Sequence, residues 1–261
     1  MSSARRPGFA PFAAPLLVSV AGGVLVVLGL VETWVVVAAG MLVAVAVGWW
    51  YQRALRRWHV RSAEELAALE ATGRWTAYSL PDRPDAPDEA RSFPKRAPLD
   101  TTVGHTYGQL LAARADRRQV WSLELGVQRR SVGTSHDGRP AEPMTSSDPF
   151  HVVLTHLDRG FGQVDVRAPG PADRWRPDVE VGVPGFDEKF VVRSESERTA
   201  RQWLASGTGA ELAREGAGVL HGGTLRLDGR TLLWWRAGHA DLDVLDDVAQ
   251  VVGRAASYLP R

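Results

Sequence analysis

The stretch AAPLLVSVAGGVLVVLGLVETWVVVAAGMLVAVAVGWWY, residues 13–51, holds a single charged side chain, Glu32. Its reading divides the chain in two. As one helix the apolar run from residue 7 to 52 would extend on the order of 69 Å at about 1.5 Å per residue. The hydrocarbon core of a bilayer is only about 30 Å thick. Glu32 splits the run into Ala13–Val31 and Thr33–Trp50, each near the roughly 20 residues a spanning helix needs. A charge at the bilayer centre costs on the order of 3 kcal/mol, and the tip of a hairpin carries Glu32 out to the headgroups. The expectation is a two-helix transmembrane hairpin over 13–51, preceded by a tail over 1–12.

Aromatic placement fits the same reading. Trp34 adjoins Glu32 at one interface, and Trp49, Trp50 and Tyr51 lie at the other. Amphipathic rings favour that boundary. Gly40, Ala44 and Gly48 recur every four residues and make a helix-packing face. Its expected partner is the first helix through Ser19, Gly22, Gly23 or Gly29, with a second copy of the chain as the alternative. A signal peptide would have one short apolar core and a cleavage site, whereas here a second apolar segment follows at once. Arg5 and Arg6 precede the first helix, Arg53, Arg56, Arg57 and Arg61 follow the second, and the intervening loop has no basic residue. The positive-inside rule then predicts a multi-pass protein of the cell (plasma) membrane, with both termini and the soluble domain cytoplasmic. The arginine face at Arg53, Arg56 and Arg57 also suits anionic lipid headgroups, each charge adding roughly 1 kcal/mol.

Charge is otherwise nearly balanced, with 31 basic against 30 acidic residues, so no nucleic-acid partner is expected. The absence of cysteine excludes disulfides, thiolate catalysis and cysteine-ligated zinc. Lysine occurs only at Lys95 and Lys189 amid abundant arginine, alanine and glycine, the composition of a high-GC bacterium.

Beyond the hairpin, residues 52–73 read as a juxtamembrane helical segment. Ser62 and Glu65 match a capping box and Gly73 closes the helix. Residues 74–261 read as a soluble α+β domain of mainly antiparallel strands with two packed helices. Trp75–Leu80 is a short strand. Residues 81–99, with five prolines, read as an irregular loop. Tyr107–Ala113 and Gln119–Val127 form two strands joined at Asp116–Arg118, with Leu123, Leu125 and Val127 alternating toward a core. Residues 129–149 and 168–185 read as loops, and His151–Leu157 and Gly162–Arg167 as separate strands. Phe190 and Val192 mark another strand. Ser194 with Glu197 suggests a capping box, ahead of a helix with Ala200, Trp203 and Leu204 on its apolar side. Leu225 and Leu227, then Asp228-Gly229, then Leu232 and Trp234, predict a hairpin. A last helix from about Asp241 to Tyr258 carries the stripe Leu242, Leu245, Val248, Val252, Ala255 and Leu259.

The segments "FDEKFVVRSESERTARQWL", "GTLRLDGRTLLWW" and the terminal "SYLPR", with "ELAALEATGRWTAY" and "YGQLLAARADRRQVWSLELG" upstream, resemble an actinobacterial family of uncharacterised membrane proteins. The resemblance implies a two-helix hairpin followed by a C-terminal soluble domain of unknown function. It implies no catalytic residues, because the matching positions are core patterns.

No motif carries recognisable chemistry. The seven histidines make no HExxH or other tight ligand spacing, and no GxSxG elbow or phosphate loop occurs. Asp187 and Glu188 are adjacent, so on a strand they point to opposite faces. The acidic cluster Asp241, Asp243, Asp246 and Asp247 reads as helix capping. Of Trp234 and Trp235, one is expected in the core and one at a surface. No catalytic residue, cofactor or metal site is therefore assigned. The expected function is a membrane-tethered binding or interaction module whose partners are the lipid bilayer, another membrane protein or a second copy of itself. The alternative is a membrane-associated enzyme with a site assembled from scattered polar residues. His151 or His156 meeting a carboxylate in a cleft would favour it.

Overall fold

The computed structural model of the chain describes residues 41–43, 45–47, 49, 64–78, 88–131, 144–171, 173 and 179–259. Two compact units divide it, Met1–Ala67 and Ala68–Arg261. In the first unit, residues 41–43, 45–47 and 49 are helical, and Met41, Leu42, Val45 and Trp49 are all more than half exposed. Among the described residues no helix is long and apolar enough to cross a membrane. The expected span Ala13–Val31 lies outside the described residues, as does most of Thr33–Trp50. So do Trp34, Gly40, Ala44, Gly48, Trp50, Tyr51, Arg53, Arg56, Arg57 and Ser62.

The second unit is an α+β domain. Residues 68–71 end in a helical turn closed by Gly73, whose φ of 70° suits a residue without Cβ and whose N–H donates to Glu70 O. Six strands form one antiparallel sheet: β1 (Trp75–Tyr78), β2 (Gly104–Ala115), β3 (Arg118–Ser131), β4 (Met144–Arg167), β5 (Val191–Ser194) and β6 (Thr224–Ala237). β1, β2, β3 and β4 pair in sequence order, while β5 and β6 each pair with β4. Asp116 and Arg117 both take positive φ, the geometry of a two-residue turn that matches strand twist.

Three sequence expectations change here. The strands expected at His151–Leu157 and Gly162–Arg167 are one strand, β4, which also takes in residues expected in a loop. Its first half pairs with β3 and its last residues with β5. The hairpin expected at Asp228-Gly229 is absent. Both flanks pair with β4, from Thr224 opposite Arg167 to Ala237 opposite Phe150. Gly229 does take positive φ, at 56°, but spends it on an irregularity within a continuous strand. Finally, residues 88–99 are no mere loop. Ala90, Phe93 and Leu99 are buried against Leu110, Leu123, Leu125, Val152 and Leu233, so the segment roofs one face of the sheet. Asp88–Arg91 form a short 3-10 helix, and Pro94 and Pro98 beyond it break regular structure without preventing burial.

The other face carries the helices α1 (Glu197–Trp203), α2 (Gly209–Glu215) and α3 (Leu245–Ser257). α3 packs on β2, β3, β4 and β6, and α1 packs on β4 and β5. The expected stripe is buried at Leu245, Val248, Val252, Ala255 and Leu259. Val153, Val164, Val166, Leu225, Leu227, Leu232 and Trp234 are buried apolar positions of β4 and β6 that alternate away from the roofed face. The cap of α1 is Ser196, not Ser194: its Oγ accepts from Thr199 N at 3.3 Å. Ser194 is still strand, and its hydroxyl donates to Gln163 O across the sheet.

Candidate functional site

Where β5, β4 and β6 run side by side, register sets out a floor. Arg193, Asp165 and Arg226 stand directly opposite one another across the three strands, and Val191, Arg167 and Thr224 form the next row. The alternating residues, Val164, Val166, Val192, Leu225 and Leu227, are buried on the helix-bearing side. Side chains of a strand alternate between faces, so the polar set shares one face. Trp235, Ala97 and Pro98 complete the lining of a groove of about 270 Å³. Trp235 and Arg226 differ by an odd number of residues yet share this groove. The irregularity at Gly229, between them, resets the alternation.

Arg226 anchors the floor. It is 2% exposed. Its Nε donates to Asp165 Oδ1 at 2.6 Å and one terminal nitrogen donates to Oδ2 at 2.9 Å, the fork geometry of a guanidinium on a carboxylate. It also donates to the carbonyls of Arg96 and Ala97, and lies 5.9 Å from the centroid of the Trp235 ring. A buried charge is tolerable only with such partners. Trp235 packs edge-on to Phe150 with centroids 6.0 Å apart, and its Nε1 is buried without a hydrogen-bond partner. The tryptophan expected at a surface is therefore half-buried in the groove wall, while Trp234 is the core residue.

Arg167 and Arg193 behave differently. Both point a terminal nitrogen at one oxygen, Asp173 Oδ1, with Arg193 at 2.8 Å. The N–H of Gly170 donates to Oδ2 at 2.6 Å. That backbone donor holds the Asp173 carboxyl below its ordinary range, with burial opposing and the two guanidiniums adding to the depression. Each arginine has five N–H donors, and these two keep roughly a third of their side-chain surface in solvent. The three guanidiniums that line the groove face Asp165 and Asp173, and beside them Arg96 pairs with Glu195 and Asp228, so the described charges of this face balance, four against four.

Other polar clusters are saturated by the fold. Ser122 Oγ lies 3.0 Å from His151 Nε2. The pair looks like a nucleophile and its base, but Nδ1 of His151 accepts the N–H of Asp241 at 3.3 Å. In a neutral ring the proton is then on Nε2, which donates to the serine and cannot take its proton. Burial, aided by repulsion from Arg236, lowers the His151 pKa to about 4, against the pull of Asp241 and Glu124. Glu124 holds His239 Nδ1 at 2.8 Å and the N–H of Ala240 at 3.1 Å, pinning the chain ahead of α3. His156 meets Glu89 O, a carbonyl and not a carboxylate.

The carboxylates noted in the sequence are structural. Asp187 accepts from Val181 N and Gly182 N. Asp241 accepts from Arg236, and also from Asp243 N at the start of the helical turn. Asp246 binds Arg74 and Trp75 Nε1, and Asp247 lies 3.4 Å from His221. Among the described residues no group of three or more His, Asp or Glu is placed to hold a metal ion. Of the interface residues assigned from sequence, Trp49 alone is described, exposed on a helical segment.

The groove was not foreseen. Its signal lay in two short alternations, VDVR at 164–167 and TLRL at 224–227, each with its charged side chains on one face and apolar residues on the other, while VVRS at 191–194 sets Val191 beside Arg193 on the charged face.

No family model matches the chain, and no curated protein matches it. Among solved structures, it is similar to the mycobacterial trehalose monomycolate transport factor A, at 14% identity and a TM-score of 0.37, over 61% of this chain and 78% of that one. A likeness at that level carries no argument about fold, ligand or partner.

Proposed function

We propose that the chain is a membrane-tethered binding module. A two-helix hairpin over 13–51 anchors it in the cell membrane, and the sheet domain, on the cytoplasmic side, presents the groove on β4, β5 and β6. The observation that carries the binding role is the pair Arg167 and Arg193, which share Asp173 and keep further N–H donors in a groove walled by Trp235. Among the described residues, His151, Glu124, His156, Asp187 and Asp241 are engaged in holding strands and helix ends. A site that recognises a ligand keeps donors in reserve within a concave, partly apolar wall. The anchor is supported by the apolar run itself and by the exposed Met41, Leu42, Val45 and Trp49 on helical residues. Apolar side chains of that size, adjacent and exposed, favour an apolar surrounding over water. Arg53, Arg56 and Arg57 then meet anionic headgroups as the helix leaves the lipid. Partners in the membrane plane, another protein or a second copy, are reached through Gly40, Ala44 and Gly48.

The sidedness is tested with reporters fused at the C-terminus. A reporter active only in the cytoplasm is expected to function, and one active only outside the membrane is expected to be silent. The reverse pattern overturns the arrangement.

A further inference from the structure

We infer that the groove on β4, β5 and β6 binds an amphiphilic oxyanion, that is, an oxyanion group joined to an apolar group. The inference deepens the binding role proposed above and rests on it, though not on the membrane anchor.

The arginine donors set the chemistry. Arg226 is consumed by Asp165, through two hydrogen bonds of 2.6 and 2.9 Å. Arg167 and Arg193 share one carboxylate, Asp173, and both line the groove. Asp173 is only 7% exposed and is held by the N–H of Gly170 as well, so it stays in place as the organiser of the two arginines. Each arginine retains N–H donors beyond the one it spends on Asp173, and a guanidinium matches an oxyanion in shape as well as charge. Beside these donors the lining turns apolar at Val191, Pro98 and Trp235. An oxyanion held by the arginines thus has its attached carbon chain or ring directed along an apolar wall. The volume of about 270 Å³ admits a headgroup or a small aromatic acid and no polymer. Two sources supply this chemistry: an anionic lipid headgroup with the start of its chains, and a soluble carboxylate with an apolar tail.

Isothermal titration calorimetry on the full chain in a neutral detergent tests the inference. The probes are a short-chain phosphatidylglycerol, 3-phenylpropionate, and a phosphatidylcholine of the same chain length. At least one of the two monoanions is expected to saturate with a submillimolar Kd, and to bind roughly tenfold more weakly to the Arg193→Gln variant and at high salt. The zwitterionic lipid is expected to bind at least that much more weakly than its anionic counterpart. Binding of phosphatidylglycerol alone assigns a lipid source, and binding of phenylpropionate, alone or with the lipid, assigns a soluble one. Arg193→Gln leaves Asp173 paired with Arg167 and Gly170, so the fold is expected to hold. If the variant does not fold, the salt dependence and the lipid pair on the unaltered chain decide. Absence of saturation by both monoanions, equal binding to Arg193→Gln, or equal binding of the two lipids overturns the inference. A chain that stays in membranes yet binds neither monoanion keeps its anchor and loses this ligand.

Discussion

Asp165 and Arg226 stand opposite one another on β4 and β6 and join through two hydrogen bonds, at 2.6 and 2.9 Å, with the guanidinium almost wholly out of water. This pair makes the groove floor a fixed surface. It also makes the floor vulnerable to the loss of one partner.

Asp165→Ala leaves a buried guanidinium without its carboxylate. The expected loss of stability is about 3 kcal/mol or more, the cost typical of breaking a buried ion pair from one side. Replacing both residues together, Asp165→Leu with Arg226→Met, removes the stranded charge and is expected to cost much less. Urea unfolding midpoints of the two variants check the order, and equal losses would show that the pair is not the anchor described.

His151 makes stability depend on pH. Its folded pKa, about 4, lies below the ordinary 6.5, so between those values the unfolded chain binds more protons than the folded one. Stability is then full above pH 6.5 and falls as pH drops through 6.5 toward 4, by about 3 kcal/mol in all. Asp228 acts in the opposite sense, because burial raises its pKa and its contribution weakens as pH rises above 3.8. Comparing unfolding of the wild type with His151→Gln at pH 7 and near pH 4.5 isolates the histidine. The wild type is expected to lose more stability on acidification than the variant, and identical slopes would refute the assignment.

Ser122 is held by a donor, not activated by a base. A fluorophosphonate probe is expected to leave it unlabelled in the folded chain, as read by mass spectrometry. Stoichiometric labelling at Ser122 would revive the enzyme alternative.

Gly253 lets α3 approach the β2–β3 turn. A Cβ there would lie 2.7 Å from the backbone oxygen of Ala115, which has no flexible end to give way. Gly253→Ala is expected to destabilise the domain by about 1–3 kcal/mol, although alanine favours helices. A thermal midpoint at or above that of the wild type would contradict the packing.

What the sequence disclosed was local. The turn expected at Asp116–Arg118, the alternation of Leu123, Leu125 and Val127, and the stripe of the last helix each depend on neighbours along the chain; the structure narrows the turn to Asp116 and Arg117 and starts the helix at Leu245, with Leu242 in a 3-10 turn before it. Asp228-Gly229 was misread because positive φ serves a turn and an in-strand irregularity alike. Only the partner strand decides, and β4 lies far away in sequence. Residues 88–99 hid their burial behind prolines. The groove was illegible for a related reason: Asp165, Arg167, Arg193 and Arg226 are ordinary strand arginines and an aspartate until three separated strands are set side by side. The hairpin over 13–51 was read from hydropathy and remains a proposal.

Alkaline carbonate extraction of membranes from cells making the full chain tests the tethered module most directly. The account predicts that the chain stays in the membrane pellet and is released only by detergent, since two apolar helices cannot be stripped off as a surface protein is. Recovery of the chain in the supernatant without detergent would contradict it.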